Sequence, residues 1–532
     1  LHSAFCIPHS AFFLGVAVLF SSLVPGAWAA PGDPLVLHTR GRNASAQHTN
    51  VFAVVERTMR WDPRHTALVI CDMWDQHWCR GATARVAEMA PRMNEVVRTA
   101  REQGALIIHC PSDTLAFYAD TPQRRLAQNA PRVALPAPVD GWRGLDRSRE
   151  APLPIDDSDG GCDDDPPCRT GSPWKRQIAA IEIRDGDAVT DSAEALYLMA
   201  QRDIRHVLVM GVHLNMCVLG RPFGIRQLVR QGKEVVLLRD LTDTMYNSRR
   251  PPHVPHFAGT DRMIEHVEKY WCPTATSADL VGGAPFRFRD DRRPHLVALI
   301  GEDEYHTWDS LPAFAGPELE TRGLRLSVLH EDPQRPGDFP GLLEALRDAD
   351  ALLVSVRRRA LPPAQLAAIR KHLEHGRALV GIRTTSHAFT LRAGATPSPA
   401  AGDPREQWTE FDPVVLGGNY QGHHGNDMPT RLRASPDAAN HPVLRGIDPA
   451  AFVGHGSLYR VRPLKEAATA LLLGSIPNQP EEPVAWTHRF GPANARVFYT
   501  SLGHPQDFAE PQFRQLLVQA VFWALDRPVP ER

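Results

Sequence analysis

The run His206-Val207-Leu208-Val209-Met210-Gly211-Val212-His213-Leu214-Asn215-Met216-Cys217-Val218 decides how this chain is read. Its first half is continuously apolar, as in a strand covered on both faces, and a helix opens near Cys217. A thiol at a helix start sits among N–H groups whose dipole favours a thiolate and which would hold an oxyanion. Upstream, Thr66-Ala67-Leu68-Val69-Ile70-Cys71 is a second buried strand and ends in Asp72. That position is the carboxyl edge where parallel sheets bind ligands. A carboxylate beside a thiol can act as general base and then as acid. Alone, such a Cys is more commonly a core residue and such an Asp a helix cap. Together at strand ends they point to chemistry.

Working outward, strands and helices alternate. Residues 105–109 and 235–238 read as strands, and 86–103, 192–202 and 261–270 as helices, with Gly104 a plausible C-cap. This is the pattern of a parallel sheet with both faces covered. Residues 31–60 are polar and read as an irregular approach segment. Residues 119–175, rich in Pro, Asp and Gly, break the alternation, and a loop of that length usually forms a lid or has a function. Residues 283–293 read as a charged linker. A second alternation follows, with strands at 296–300, 325–329, 351–356, 378–382, 482–486 and 496–499 and a closing helix at 511–525. The expected fold is α/β in two domains, 61–282 and 294–528.

Bulk properties agree. A chain of 532 residues is too long for one core, and 43% hydrophobic with 23% charged residues is ordinary globular composition. A formal charge of −2 leaves no basic surplus for nucleic acid. The partner implied is a small-molecule substrate, with a homo-oligomer expected. The apolar run Ala11–Val24 followed by Ala27-Trp28-Ala29 reads as a signal peptide over 1–30, hence export. An uncleaved anchor is the alternative, since the first residues carry no Lys or Arg; no later segment is long and apolar enough for a span. Beyond Cys6 lie Cys71, Cys79, Cys110, Cys162, Cys168, Cys217 and Cys272, an odd number that leaves a free thiol in an oxidising compartment. Cys162 and Cys168 share one loop and are expected to pair there.

Residues 61–281 resemble the isochorismatase and nicotinamidase superfamily of cysteine hydrolases. The resemblance is carried by Ala67-Leu68-Val69-Ile70-Cys71-Asp72-Met73 and by Gly211 to Val218. It implies a three-layer α/β/α fold, Asp72 as catalytic acid–base and Cys217 as nucleophile. It also implies a backbone oxyanion hole at His213 and Cys217 beside a cis Val212–His213 peptide. Substrate contacts in this unit are expected from Trp74 and Asn215. The family's catalytic lysine is not plainly present. The lysines are Lys175, Lys233, Lys269, Lys371 and Lys465, and the family spacing lands near Arg184. Either Arg184 serves by charge, being unable to exchange a proton at neutral pH, or Lys175 moves in from the loop.

Asp75, His77, His109 and Asp113 cluster around the first two strand ends. They read equally well as ligands for zinc or a similar ion and as a hydrogen-bonded rim. The stretch Asp156 to Asp165 is the most acidic in the chain. It lacks the EF-hand pattern, and a solvated loop pinned by Cys162–Cys168 is preferred to a calcium site.

Residues 294–528 resemble the trehalose-utilisation (ThuA-like) family. The carrying residues are Gly381-Ile382-Arg383-Thr384-Thr385-Ser386-His387, Gly417-Gly418-Asn419-Tyr420, His441-Pro442-Val443-Leu444, Val484-Ala485-Trp486 and Arg496 to His504. The implied fold is that of class I glutamine amidotransferases, flavodoxin-like. The absence of any Cys beyond Cys272 excludes glutaminase chemistry. Ser386 and His387 are a weak hydrolytic pair, because sequence neighbours rarely face each other productively. Tyr305, His306, His387, Tyr420, His423, His424 and His504 form a polar aromatic set suited to sugar, with Trp486 assigned to the core. Substrate contacts are expected from His387, Tyr420, His424 and His504. The reading is an exported cysteine hydrolase fused to a carbohydrate-related domain. Its rivals are a non-catalytic carbohydrate-binding protein and a sugar enzyme seated in the second domain.

Overall fold

The computed structural model describes residues 32–46, 48, 51–395, 403–425 and 428–531, so residues 1–30, expected to be a signal peptide, lie outside the described residues. Two α/β units follow one another. The first sheet has eight strands: β1 (Leu35–Ala44), β2 (Phe52–Trp61), β3 (Thr66–Cys71), β4 (Leu106–Cys110), β5 (Ala188–Val189), β6 (His206–Val212), β7 (Glu234–Asp243) and β8 (Thr274–Ala275). Their order is β2-β1-β8-β7-β6-β3-β4-β5, parallel from β8 to β5. Every residue of β3 and β4 is buried, and apolar clusters fill both faces. The helix Arg80–Gln103 ends at Gly104, whose φ of 102° is a left-handed cap.

The second sheet has nine strands: β9 (His295–Gly301), β10 (Arg325–His330), β11 (Ala351–Val356), β12 (Ala378–Ile382), β13 (Thr430–Ala434), β14 (Val453–Gly454), β15 (Thr469–Ser475), β16 (Glu482–Phe490) and β17 (Ala495–Thr500). Their order is β10-β9-β11-β12-β17-β16-β15-β13-β14. It is parallel from β10 to β17 and antiparallel from β17 onward. The closing helix Pro511–Ala524 packs Phe513, Leu516 and Leu517 into its core. Trp486 is buried and donates its indole N–H to Leu416 O at 2.7 Å, a core role as expected.

The approach segment needs correction. Residues 35–61 are not irregular but form an antiparallel hairpin, β1–β2, and β1 pairs with β8 at Arg40↔Thr274. The polar residues that hid the strands have distant partners. Arg40 and Arg42 reach the buried Glu268 at 2.9 and 3.0 Å. The hairpin also meets the second unit, where Val51 and Val54 join its apolar clusters and Gly341 N donates to Glu56. The linker 283–293 is docked as well, with Phe288 buried against the first unit and Arg293 paired with Asp261 and Asp291.

Residues 129–187 form no named strand or helix of their own, and one buried carboxylate ties this stretch to the helices Ile225–Arg230 and His256–Tyr270. Glu150 takes both arms of Arg226 (2.8 and 3.0 Å), His266 Nε2 (2.7 Å) and the Trp271 indole (2.9 Å). Burial alone would raise its pKa, but the hydrogen bonds from His266 and Arg226 outweigh it and bring the carboxyl from 4.5 down to about 2. A lowered folded pKa stabilises fully above the unfolded value, and that contribution is lost as pH falls from about 4.5 through 2. Glu150→Ala should cost about 3 kcal/mol at pH 7, because it strands a buried guanidinium. Urea unfolding of both chains should show this gap shrinking toward pH 2.5.

Candidate active site

The register of β3 on β6 builds the site. Cys71 lies opposite Gly211, so the next residues, Asp72 and Val212–His213, emerge side by side. The approach is close enough that a Cβ on Gly211 would sit 2.1 Å from Cys71 O, and its φ of 119° further favours glycine. Val212–His213 is a cis peptide, as the resemblance implied. A single π-type turn, Leu214–Val218, follows and carries Cys217, which is 9% exposed.

Asp72 is fully buried at φ 47° and accepts Ser112 N at 2.8 Å through Oδ1. Its Oδ2 has no hydrogen-bond partner among the described residues and faces Arg221 Nε at 3.4 Å. Arg221 stands one turn beyond Cys217, its N–H bonded to Cys217 O, and its other arm reaches Asp113 at 3.2 Å. Three chemically distinct groups therefore converge: a thiol, a carboxylate and a permanent cation. Burial pushes the Cys217 thiol well up, Asp72 adds to this, and Arg221 opposes both. Burial likewise raises Asp72 against the pull of Arg221. Burial works against the charge on Arg221, but Asp72, Cys217 and Asp113 together outweigh it and hold the guanidinium firmly cationic. In such a site the sulfur keeps its proton at rest, and the adjoining carboxylate is the group that can take it.

Neither expected cation is here. Arg184 is exposed and paired with Glu182, and Lys175 is exposed, its backbone N–H donating to Asp75 Oδ1 at 3.0 Å. Family spacing pointed upstream, whereas the cation comes from Arg221, downstream at one-turn spacing. The four proposed metal ligands do not converge either. His109 is buried between Gln177 (3.0 Å) and Asp187 (3.3 Å). Asp75 receives the backbone of Lys175 and Arg176, and Asp113 pairs with Arg221. His77 Nδ1 accepts Cys79 N at 3.1 Å, and burial lowers its pKa to about 4.

His213 is buried, neutral with its pKa lowered by burial to about 3, and its Nε2 has no partner among the described residues. Trp74 donates to Ser112 O at 2.9 Å and stacks on Trp174 at 4.4 Å, an aromatic wall beside Asp72. Asn215 is not free to bind substrate. It clips both the N–H and C=O of Met245 (3.0 and 3.1 Å) and holds Asp157 at 2.7 Å. The acidic loop is not a solvated one. Asp156 pairs with Arg250, Asp159 with Asn247 and Asp163 with Arg85. Cys162 and Cys168 are free thiols, not a disulfide.

In the second unit a buried arginine organises the aromatic set. Arg383, at φ 42° just after β12, donates to Ser501 O at 2.6 Å and Ser457 Oγ at 3.2 Å. Its guanidinium lies over Tyr305 (4.2 Å) and Tyr459 (4.8 Å). Rings continue the chain of contacts, with Tyr420 against Tyr459 (4.7 Å) and His387 (4.6 Å), and His504 against Tyr305 (6.2 Å). The structure thus connects His387, Tyr420 and His504. His424 Nε2 is buried without a partner among the described residues. Ser386 Oγ and His387 Nδ1 do meet, at 3.2 Å, against the expectation for sequence neighbours. Arg383 and Tyr459 were not singled out by sequence reasoning, because nothing local marks an arginine that buries itself between two tyrosines.

The family model described as ThuA, trehalose utilisation, matches residues 338–524. No curated protein matches the chain. Among solved structures, a ThuA-like protein from Parabacteroides merdae ATCC 43184 is 14% identical, with a TM-score of 0.35 over 45% of this chain and 93% of its own. A cysteine hydrolase from Pseudomonas syringae pv. phaseolicola 1448A is 17% identical, with a TM-score of 0.27 over 41% and 92%. An isochorismatase family protein from Burkholderia thailandensis is 14% identical, with a TM-score of 0.24 over 41% and 94%.

Removing the cation tests the electrostatics of this site. Arg221→Met should slow alkylation of Cys217 by about tenfold or more at pH 8, since a charge at this range is worth several kcal/mol. Arg184→Met and Lys175→Met should leave the rate unchanged. Peptide mass spectrometry after timed iodoacetamide exposure reads all three.

Proposed function

We propose that the first unit is a hydrolase that cleaves an amide or related bond of a small molecule through Cys217. The observation that carries this is the convergence of Cys217, Asp72 and Arg221 at the carboxyl ends of β3 and β6. Asp72 takes the thiol proton as sulfur attacks the carbonyl carbon. The charge that develops on oxygen is received by the backbone N–H groups of His213 and Cys217. Asp72 then returns its proton to the departing nitrogen, leaving a thioester, and water cleaves the thioester with Asp72 again as base. Arg221 takes the place of an exchangeable lysine but only as a fixed charge, steadying Asp72 and the thiolate without moving a proton. Trp74 and Trp174 offer an apolar aromatic wall to the substrate.

A second reading attaches to the ThuA segment. The buried Arg383 among Tyr305, Tyr459 and Tyr420 supports recognition of a polyhydroxylated, carbohydrate-type ligand, rings stacking on the sugar face while polar groups meet hydroxyls. The two readings are compatible in one bifunctional chain.

Turnover of a panel of small amides tests the first reading. Cys217→Ala should abolish it, and Asp72→Asn should lower it by about a hundredfold or more, because the amide cannot accept the thiol proton. Both variants should keep the native circular dichroism. Full activity in either one rejects the assignment.

A further inference from the structure

Outside the Cys217 site, three thiols gather around one carboxylate oxygen. Asp164 Oδ2 lies 3.3 Å from Cys79 Sγ, 3.6 Å from Cys162 Sγ and 3.1 Å from Cys168 Sγ. The Cys79 and Cys162 sulfurs and this carboxylate fall within 4.8 Å of one another. The same oxygen also accepts the backbone N–H of Arg80 (2.9 Å) and Gly81 (3.2 Å) at the start of the long helix. Five donors on one oxygen exceed what its lone pairs can satisfy. The distances have another meaning. A tetrahedral zinc with Zn–S near 2.3 Å and Zn–O near 2.1 Å has S···O edges of about 3.6 Å. The Cys79 and Cys162 separations are close to such edges; Cys168 touches the same oxygen at 3.1 Å but stands outside the mutually close group, and would turn in toward the cation to complete the set.

We propose that Cys79, Cys162, Cys168 and Asp164 form a structural site for zinc or a similarly thiophilic divalent cation. Three sulfur donors exclude calcium or magnesium, which take oxygen ligands. Asp163, the neighbouring carboxylate, is occupied by Arg85 at 2.8 and 3.1 Å, which leaves Asp164 as the fourth ligand. Binding converts three thiols to thiolates and releases their three protons to solvent. A tight backbone contact fixes where Cys162 stands. Gly161, beside Cys162, lies so near Met245 that a Cβ there would sit 2.3 Å from the Met245 carbonyl.

The site fastens residues 156–168 to the helix Arg80–Gln103. That same loop sends Asp157 to Asn215, two residues before Cys217. The cation would therefore order the wall of the Cys217 site without entering its chemistry, and the proposal stands whether or not Cys217 is a nucleophile.

Cobalt titration of the full chain, reduced and desalted under argon, tests it. One equivalent of Co²⁺ should give sulfur-to-cobalt charge-transfer absorption and the visible ligand-field bands of a tetrahedral site, bleached by added Zn²⁺. Cys162→Ser and Cys168→Ser should each weaken binding by about tenfold or more. The latter replaces a half-exposed side chain, so its fold should survive, as circular dichroism will show. Cys217→Ser should leave the bands intact. Loss of zinc to a chelator should lower the Tm of the native chain, and lower that of Cys168→Ser by less. The proposal is overturned if no thiolate–cobalt band appears, or if the bands persist undiminished in Cys162→Ser and Cys168→Ser.

Discussion

The site depends on one close approach, that of β6 to β3 at Gly211. Because Gly211 has no side chain, its backbone can lie against Cys71, and the two strands end level with each other. That level ending turns sequence-distant residues into neighbours: Asp72 from one strand, and Cys217 with Arg221 from the turn after the other. The low dielectric inside the sheet edge then governs behaviour. Burial pushes thiol and carboxyl toward their neutral forms, and Arg221 works against that drift. A permanent cation differs from a lysine in one respect that matters here: it can stabilise charge, but it cannot shuttle a proton. In the proposed reaction, proton transfer therefore falls to Asp72.

The surroundings of this edge are fastened by buried and half-buried carboxylates in place of regular structure. Glu150 holds the long irregular stretch through Arg226, His266 and Trp271. Asp157 and Asp164 hold the acidic loop, and Glu268 holds the β1–β2 hairpin through Arg40 and Arg42. Each has a basic or hydrogen-bonding partner far away in sequence, which is why an acidic, Pro-rich segment packs without forming strands. Breaking the tie at Glu150 or Glu268 would leave an unpaired group in the interior.

The sequence carried the fold well where elements are apolar throughout. The strands from Thr66, His206, Ala351 and Ala378 stand close to where their apolar runs place them, because a strand covered on both faces needs no partner to be recognised. The β1–β2 hairpin was not legible, since Arg40, Arg42 and Glu56 look like loop residues until their partners are known. Asp72, Cys217 and the cis Val212–His213 peptide were legible through the resemblance, but Arg221 was not. Its role depends on the turn that follows Cys217, and family spacing drew attention to Arg184. Asn215 was misjudged for a related reason. An asparagine beside a nucleophile reads as a substrate contact, yet its amide is consumed by Met245 and Asp157. The thiol cluster was invisible because Cys79 starts a helix while Cys162 and Cys168 lie in a loop, and only tertiary folding brings them to one carboxylate.

The claim on which the rest turns is that Cys217 is the reactive thiol of this chain, set apart by Asp72 and Arg221. Competitive labelling of the native protein with isotope-coded iodoacetamide, resolved peptide by peptide against an unfolded standard, tests it directly. The account predicts that the Cys217 peptide is alkylated ahead of those of Cys71, Cys110 and Cys272 by far more than its slightly greater exposure allows, because those three thiols are not hydrogen-bonded to Asp72 and Arg221. Labelling of Cys217 no faster than these three would contradict it.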